Sequence, residues 1–238
     1  MSDSRRFSRN LAATGLFLGP LLFFLSSLVD PAWADDPAAY FDAVAASSGR
    51  YLLAGLMWTV GSLVFIPGVL GLIKLMRGRG ITVGQVGAGL IAIGLILLSS
   101  SFAFYALDVT MARSADRPAA VAIYEAGQES SLAGVFYMVT FLGGIVLGSL
   151  LLAVALFKRR IVPVWSPVLV VASTVVGFFA ETQMLNALSL LLLVAGLAPL
   201  AQRIRTLSDE AWAQWEPLPA DAGQAKAAGP NPSDPHPA

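Results

Sequence analysis

Cysteine is absent from this 238-residue chain, and histidine occurs once, as His236 in a Pro-rich tail. Without thiols there are no disulfides, thiolate nucleophiles, iron–sulfur clusters or cysteine-bound zinc. One histidine in such a tail removes bis-histidine haem ligation and the usual histidine bases. Charge is scarce too. Asp, Glu, Lys and Arg make up 13% of the residues, against roughly 25% in a soluble domain. No basic tract is present that would neutralise a run of phosphates, so no nucleic-acid partner is expected. Nothing in the composition calls for a cofactor or a metal. Hydrophobic residues fill the space, at 56% of the chain with a mean hydropathy of +0.72. Most of the chain is therefore expected to face something other than water.

A bilayer core is about 30 Å thick, and a helix that crosses it needs roughly 20 mostly apolar residues. Six stretches qualify: 11–29, 51–73, 82–107, 132–157, 161–180 and 183–201. Backbone groups in lipid must be satisfied within the segment, which favours helix over open strand. The alternation of a membrane barrel is missing. The predicted fold is an all-α, polytopic bundle of six spans in residues 1–205.

Lys and Arg orient the bundle. Twelve of the fifteen fall on one side: Arg5, Arg6, Arg9, Lys74, Arg77, Arg79, Lys158, Arg159, Arg160, Arg203, Arg205 and Lys226. Arg50, Arg113 and Arg117 fall on the other, among nine acids. The basic side is expected to be cytoplasmic, with both termini there, in a bacterial inner membrane. The first span has a rival reading. Arg5 and Arg6, an apolar run and Ala32-Trp33-Ala34 resemble a signal peptide cleaved after Ala34. Ser4-Arg5-Arg6 hints at a twin-arginine signal, with Phe7 one place early. The apolar run exceeds the usual h-region of about 7–15 residues, so a retained span is expected.

A weak internal repeat links Pro37-Ala38-Ala39 to Pro118-Ala119-Ala120 and Leu53-Ala54-Gly55 to Leu132-Ala133-Gly134. Each unit reads as a span, a short outer helix and a second span. Asp36-Pro37 suits the N-cap and first position of such a helix, and Arg117-Pro118 places proline similarly. These outer helices belong between spans 1–2 and 3–4. Span 5 to span 6 is a tight turn near Ala180-Glu181-Thr182. Residues 206–216 are predicted as a short interfacial helix, with Trp212 and Trp215 in the headgroup layer. Residues 217–238 are rich in Pro, Ala, Gly and Asp and read as a disordered cytoplasmic tail.

Ionisable residues near a span are functional candidates. Asp42, Asp108, Glu125, Glu129 and Glu181 are the candidates here, as a polar outward-facing cavity that attracts a cation or an amine. Turn acids also sit at interfaces without any partner, and for Glu181 the plain turn is the expectation. Ser99-Ser100-Ser101 and Thr140 are expected to bond their own helix backbone. Gly144 and Gly148 form a GxxxG, a spacing repeated by Gly15 and Gly19. Small residues let helices approach. Packing inside the chain is expected, with contact to another membrane protein or a second copy through Gly144 and Gly148 as the alternative. Gly84, Gly87 and Gly89 are no phosphate loop, because no Gly-Lys-Ser/Thr follows. Pro20 and Pro67 lie inside spans, where they are expected to kink the helices.

The segment from Pro37 to Ala46, Gly49-Arg50, Val69-Leu70-Gly71-Leu72, Arg77-Gly78-Arg79-Gly80 and Ile161-Val162-Pro163-Val164-Trp165 resembles uncharacterised six-span membrane proteins common in actinobacteria. The resemblance covers most of residues 10–205. It implies a fold and a membrane and lends no catalytic residue. No intramembrane Gly-x-Gly-Asp or Ser–His pair is present for a protease. The expected role is a non-enzymatic scaffold or accessory subunit in contact with the lipid bilayer. The alternative is a small transporter or channel using the acidic outer face.

Overall fold

The computed structural model describes residues 2–76 and 82–213. The basic tip at Arg77 and Arg79, Trp215, Lys226, His236 and the predicted tail 217–238 lie outside the described residues. The described chain is helical: α1 (Ser2–Val29), α2 (Pro37–Ala46), α3 (Ser48–Leu75), α4 (Thr82–Leu98), α5 (Ser101–Ala112), α6 (Arg117–Gln128) and α7 (Ser131–Tyr137). A π-helical segment, Met138–Leu147, then leads into α8 (Gly148–Arg159), α9 (Trp165–Phe178), α10 (Gln183–Thr206) and α11 (Asp209–Ala213). Five helical stretches are long and apolar enough to cross a membrane: α1, α3, α4–α5, α7–α8 and α10. That matches a multi-pass membrane protein.

The fifth expected span is shorter than its sequence suggests. α9 has 14 residues, about 21 Å at 1.5 Å per residue. Arg160 ends α8 in the left-handed region, with φ 51°, a common helix stop. Pro163 follows, and Ile161 and Val162 are buried in the turn before α9 begins. The third span also differs, because a break at Ser99–Ser100 divides it. Ser99, Ser100 and Ser101 each donate to the carbonyl three residues back, at 2.6, 2.7 and 2.6 Å. This is the local bonding expected of them, and it competes with the helix ladder. The Phe102 amide beyond the break donates to Thr59 Oγ1 at 3.0 Å.

The expected short helices are present as α2 and α6. Asp36 and Asp116 cap them, accepting from Ala39 N–H at 2.8 Å and Ala119 N–H at 3.1 Å. The capping carboxylate satisfies an amide that the first turn leaves without a partner. Thr182 caps α10 in the same way, accepting from Leu185 N–H.

Contacts between helices order the bundle as a ring. α1 packs between α3 and α10; α10 packs on α9, α9 on α8, α8 and the π segment on α4, and α4 on α3. Two of these seams need glycine. A Cβ added to Gly15 of α1 would lie 2.5 Å from Val64 O and 2.9 Å from Gly68 N of α3. A Cβ on Gly144 would lie 2.8 Å from Gly94 Cα. The Gly144 and Gly148 face thus packs on α4 within the chain, as expected.

The expectation for Trp212 is not met. Its residue is 3% exposed and turned back onto the bundle, not out to the headgroups. Trp212 Nε1 donates to Ser8 Oγ at 3.0 Å, and Lys74 Nζ sits 4.5 Å from the ring centroid. Arg9 pairs with Asp209 at 2.8 Å and donates to the Leu207 carbonyl. A cation over the ring and a partner for the indole N–H make this buried seat better than the interface.

Gly144→Ala is expected to lower thermal stability, by about 1–3 kcal/mol, the range for overpacking a close contact. Gly89 lies in α4 with open space around it. Gly89→Ala is expected to raise stability slightly, by roughly 0.5–1 kcal/mol, through helix propensity alone. Melting curves of the two purified variants check the contrast, and similar shifts for both would contradict the seam.

Candidate functional site

The acidic end of the bundle is closed by a network of phenols and carboxylates. Tyr105 and Asp108 lie three apart on α5, so they share a helix face. That face meets Tyr51 of α3 and Tyr40 of α2. Asp108 Oδ2 accepts from Tyr40 OH at 2.8 Å and from Tyr51 OH at 2.6 Å. The two phenol oxygens also lie within hydrogen-bond reach of each other. Each phenol has one proton. If both give it to Asp108, neither has one left for the other, so the three oxygens share two protons when Asp108 is ionised.

A second carboxylate joins from the end of α1. Asp30 accepts from Tyr105 OH at 3.2 Å and from Ala32 N–H at 3.0 Å. Burial raises the Asp30 pKa above the usual carboxylate range, against the lowering effects of the Ala32 amide, Tyr105 and Arg50. Burial raises the Tyr40 pKa too, and the nearby Asp108 charge adds to it. Rings fill the remaining space: Tyr51 lies 4.5 Å from Tyr105 between centroids, and Tyr40 stacks on Tyr124 at 5.4 Å. Phe41 and Val44 of α2 are fully buried beneath this cap.

Polar side chains tie neighbouring helix ends to the cap. Gln183 Nε2 donates to the carbonyls of Ser27 and Asp30, at 2.7 and 2.9 Å. This satisfies carbonyls that the end of α1 leaves exposed. Asn186 Nδ2 donates to Ser27 Oγ at 3.1 Å. Arg113 Nη2 donates to Ser48 Oγ at 2.5 Å.

The five candidate acids do not form one group. Asp108 lies in the network. Asp42 pairs with Arg117 at 2.6 Å, and its side chain is 77% exposed. Glu125 and Glu129 are exposed on and just after α6, and Glu181 is exposed at the turn before α10, as a plain turn requires. Tyr51 and Asp30 were not among the candidates. Their signal in the sequence is weak. Only the Tyr105–Asp108 spacing marks a polar face, and its partners come from three other segments. Among the described residues no cluster of His, Cys, Asp or Glu has the arrangement of a metal site.

Inside the ring lies a second feature, a cavity of about 180 Å³ lined from all six segments of the ring, the short α9 included. Its wall is mainly apolar, with Phe23, Trp58, Phe65, Ile91, Phe141 and Leu193 among the residues facing it. No Asp, Glu, Lys or Arg lines it. No family model, no curated protein and no solved structure matches this chain.

The network makes two expectations. Tyr51→Phe removes a hydrogen bond to a carboxylate and is expected to cost about 1–3 kcal/mol, whereas Tyr137→Phe, at a half-exposed position, is expected to be neutral. Chemical or thermal denaturation measures both. The raised Asp30 pKa sets the sign of a pH effect. The folded state holds this proton more tightly than the unfolded chain, so the proton favours folding at low pH. That contribution is lost as pH rises from the unfolded value near 3.8 through the folded one. Across this window the melting temperature of wild type is expected to fall relative to that of Asp30→Asn. Parallel curves would contradict the burial of this carboxyl.

Proposed function

We propose that this chain is a non-enzymatic membrane protein, a scaffold or accessory subunit in a bacterial inner membrane with both termini in the cytoplasm. One observation carries the reading. The two carboxylates drawn into the fold at the acidic end, Asp30 and Asp108, are each held by a partner in the same chain, and the exposed Asp42 pairs with Arg117. They act as cross-links between α1, α2, α3, α5 and α6. A coupling carboxylate in a carrier must instead exchange partners during the cycle. The polar groups therefore serve to stiffen the cap, and a stiff cap on an apolar ring suits a subunit that presents a fixed surface.

The transporter reading draws on the ring closed around a cavity. The cavity wall carries no Asp, Glu, Lys or Arg, so cation passage through it has no carboxylate to replace the hydration shell. Proteoliposomes holding the purified chain and loaded with pH- and cation-sensitive dyes test the choice. No flux beyond protein-free vesicles is expected for H⁺, Na⁺ or K⁺. Flux that Asp108→Asn abolishes would replace the scaffold reading with a carrier.

The orientation rests on the basic end, where Arg9, Lys74, Lys158 and Arg203 gather by sequence position. A reporter active only outside the cytoplasm, fused after Arg205, is expected to stay silent, and one fused after Asp36 to be active. The reverse pattern would overturn the topology.

A further inference from the structure

The central cavity holds a feature that the cap does not explain. Ser149 of α8 and Ser173 of α9 both line it, and each is 6% exposed. A helical serine in an apolar setting usually gives its proton to a carbonyl three or four residues back. Thr174, beside Ser173, does so, donating to Val170 O at 3.0 Å. Among the described residues neither Ser149 nor Ser173 makes a hydrogen bond within the protein. An unpaired buried hydroxyl costs free energy, and lipid offers no water to relieve it. Asn186, which also lines the cavity, spends its amide on Ser27 and keeps its carbonyl oxygen.

The two serines sit at matching depth. Ser149 is ten residues from Arg159 and Ser173 eight from Trp165, about 15 and 12 Å from the basic end along their helices. Both line the cavity, on the neighbouring helices α8 and α9. Toward the acidic end the seam between these helices loosens, because the π segment packs chiefly on α4. Tyr137 and Phe178, on either side of it, line the cavity and are still about half exposed. The cavity therefore reaches the lipid-facing surface there. π-helical segments are rare and recur at functional sites, and this one forms the wall of the opening.

We propose that the cavity binds a neutral lipid-soluble molecule with one hydrogen-bonding oxygen on an otherwise apolar ring or chain. The oxygen meets Ser149 and Ser173, the apolar body lies among Phe23, Trp58 and Phe141, and any tail leaves between Tyr137 and Phe178. A cavity of about 150 Å³ accepts benzene, so about 180 Å³ accepts a ring with a small substituent. The absence of charge in the wall selects a neutral ligand. This site is independent of the scaffold reading, since a subunit of either kind can hold such a molecule.

The test uses the full chain in detergent with 4-hexylphenol and hexylbenzene as probes, which differ by one hydroxyl. Native mass spectrometry counts bound molecules, and thermal-shift titration gives apparent Kd. One 4-hexylphenol per chain is expected, bound about tenfold more tightly than hexylbenzene, the factor for one net hydrogen bond. The double variant Ser149→Ala/Ser173→Ala is expected to bind the two probes equally and, without probe, to be at least as stable as wild type. Val146→Phe, which fills the cavity, is expected to lose both. Equal affinity of wild type for the two probes, no saturable binding, or an unchanged preference in the double variant overturns the proposal. The alanine variants remove only hydroxyls, so the test survives even if Val146→Phe folds poorly.

Discussion

Close backbone approach between helices is the constraint on which this structure depends. In hydrocarbon, apolar side chains gain little by leaving lipid for one another, so association relies on van der Waals packing and on small residues that let helices meet. Gly15 against Gly68 and Gly94 against Gly144 supply such contacts at two seams of the ring. At those seams the helices pack tightly. Elsewhere large side chains hold the facing helices apart, with Trp58 and Phe65 of α3 and Phe141 of the π segment turned to the centre. The cavity follows from that contrast between small residues at the seams and large ones inside.

Much of this was legible in the sequence, because the bilayer imposes a length and an apolarity that hydropathy reads directly. The six apolar runs, the Asp36-Pro37 start of α2 and the intrachain use of Gly144 and Gly148 all follow from local pattern. Hydropathy averages over a whole span, however, and is blind to how the helix is wound. The break at Ser99–Ser100, the π turns at Met138–Leu147 and the shortening of α9 all lie inside runs that remain apolar throughout. Trp212 misled for a different reason. Amphipathic tryptophans favour headgroups by default, and only the fold brings Ser8 and Lys74 close enough to outcompete them.

The candidate site was legible in outline only. An acidic side was visible, yet the acids divide by environment: Asp108 and Asp30 are drawn under tyrosines, while Glu125, Glu129 and Glu181 stay in contact with solvent. Sequence distance explains the gap. Tyr40, Tyr51 and Asp108 come from three separate helices, and no spacing rule joins them. The two ends of the bundle use different chemistry. Phenols and carboxylates stitch the acidic end together, while Arg9, Asp209, Lys74 and Trp212 fasten α11 at the basic end. Between them the centre is apolar; among the described residues Ser149 and Ser173, which line the cavity, make no hydrogen bond within the protein, and Thr140 Oγ1, expected to bond its own helix backbone, is buried without a partner.

The central claim is a ring of six helices closed around an apolar centre. A density map of the chain in a lipid nanodisc tests it most directly. The account requires α1 between α3 and α10, α9 between α8 and α10, and a centre walled by Phe23, Trp58 and Phe141 without a continuous polar path from end to end. A different neighbour order, or a water-filled path running from Asp108 to the basic end, would contradict it.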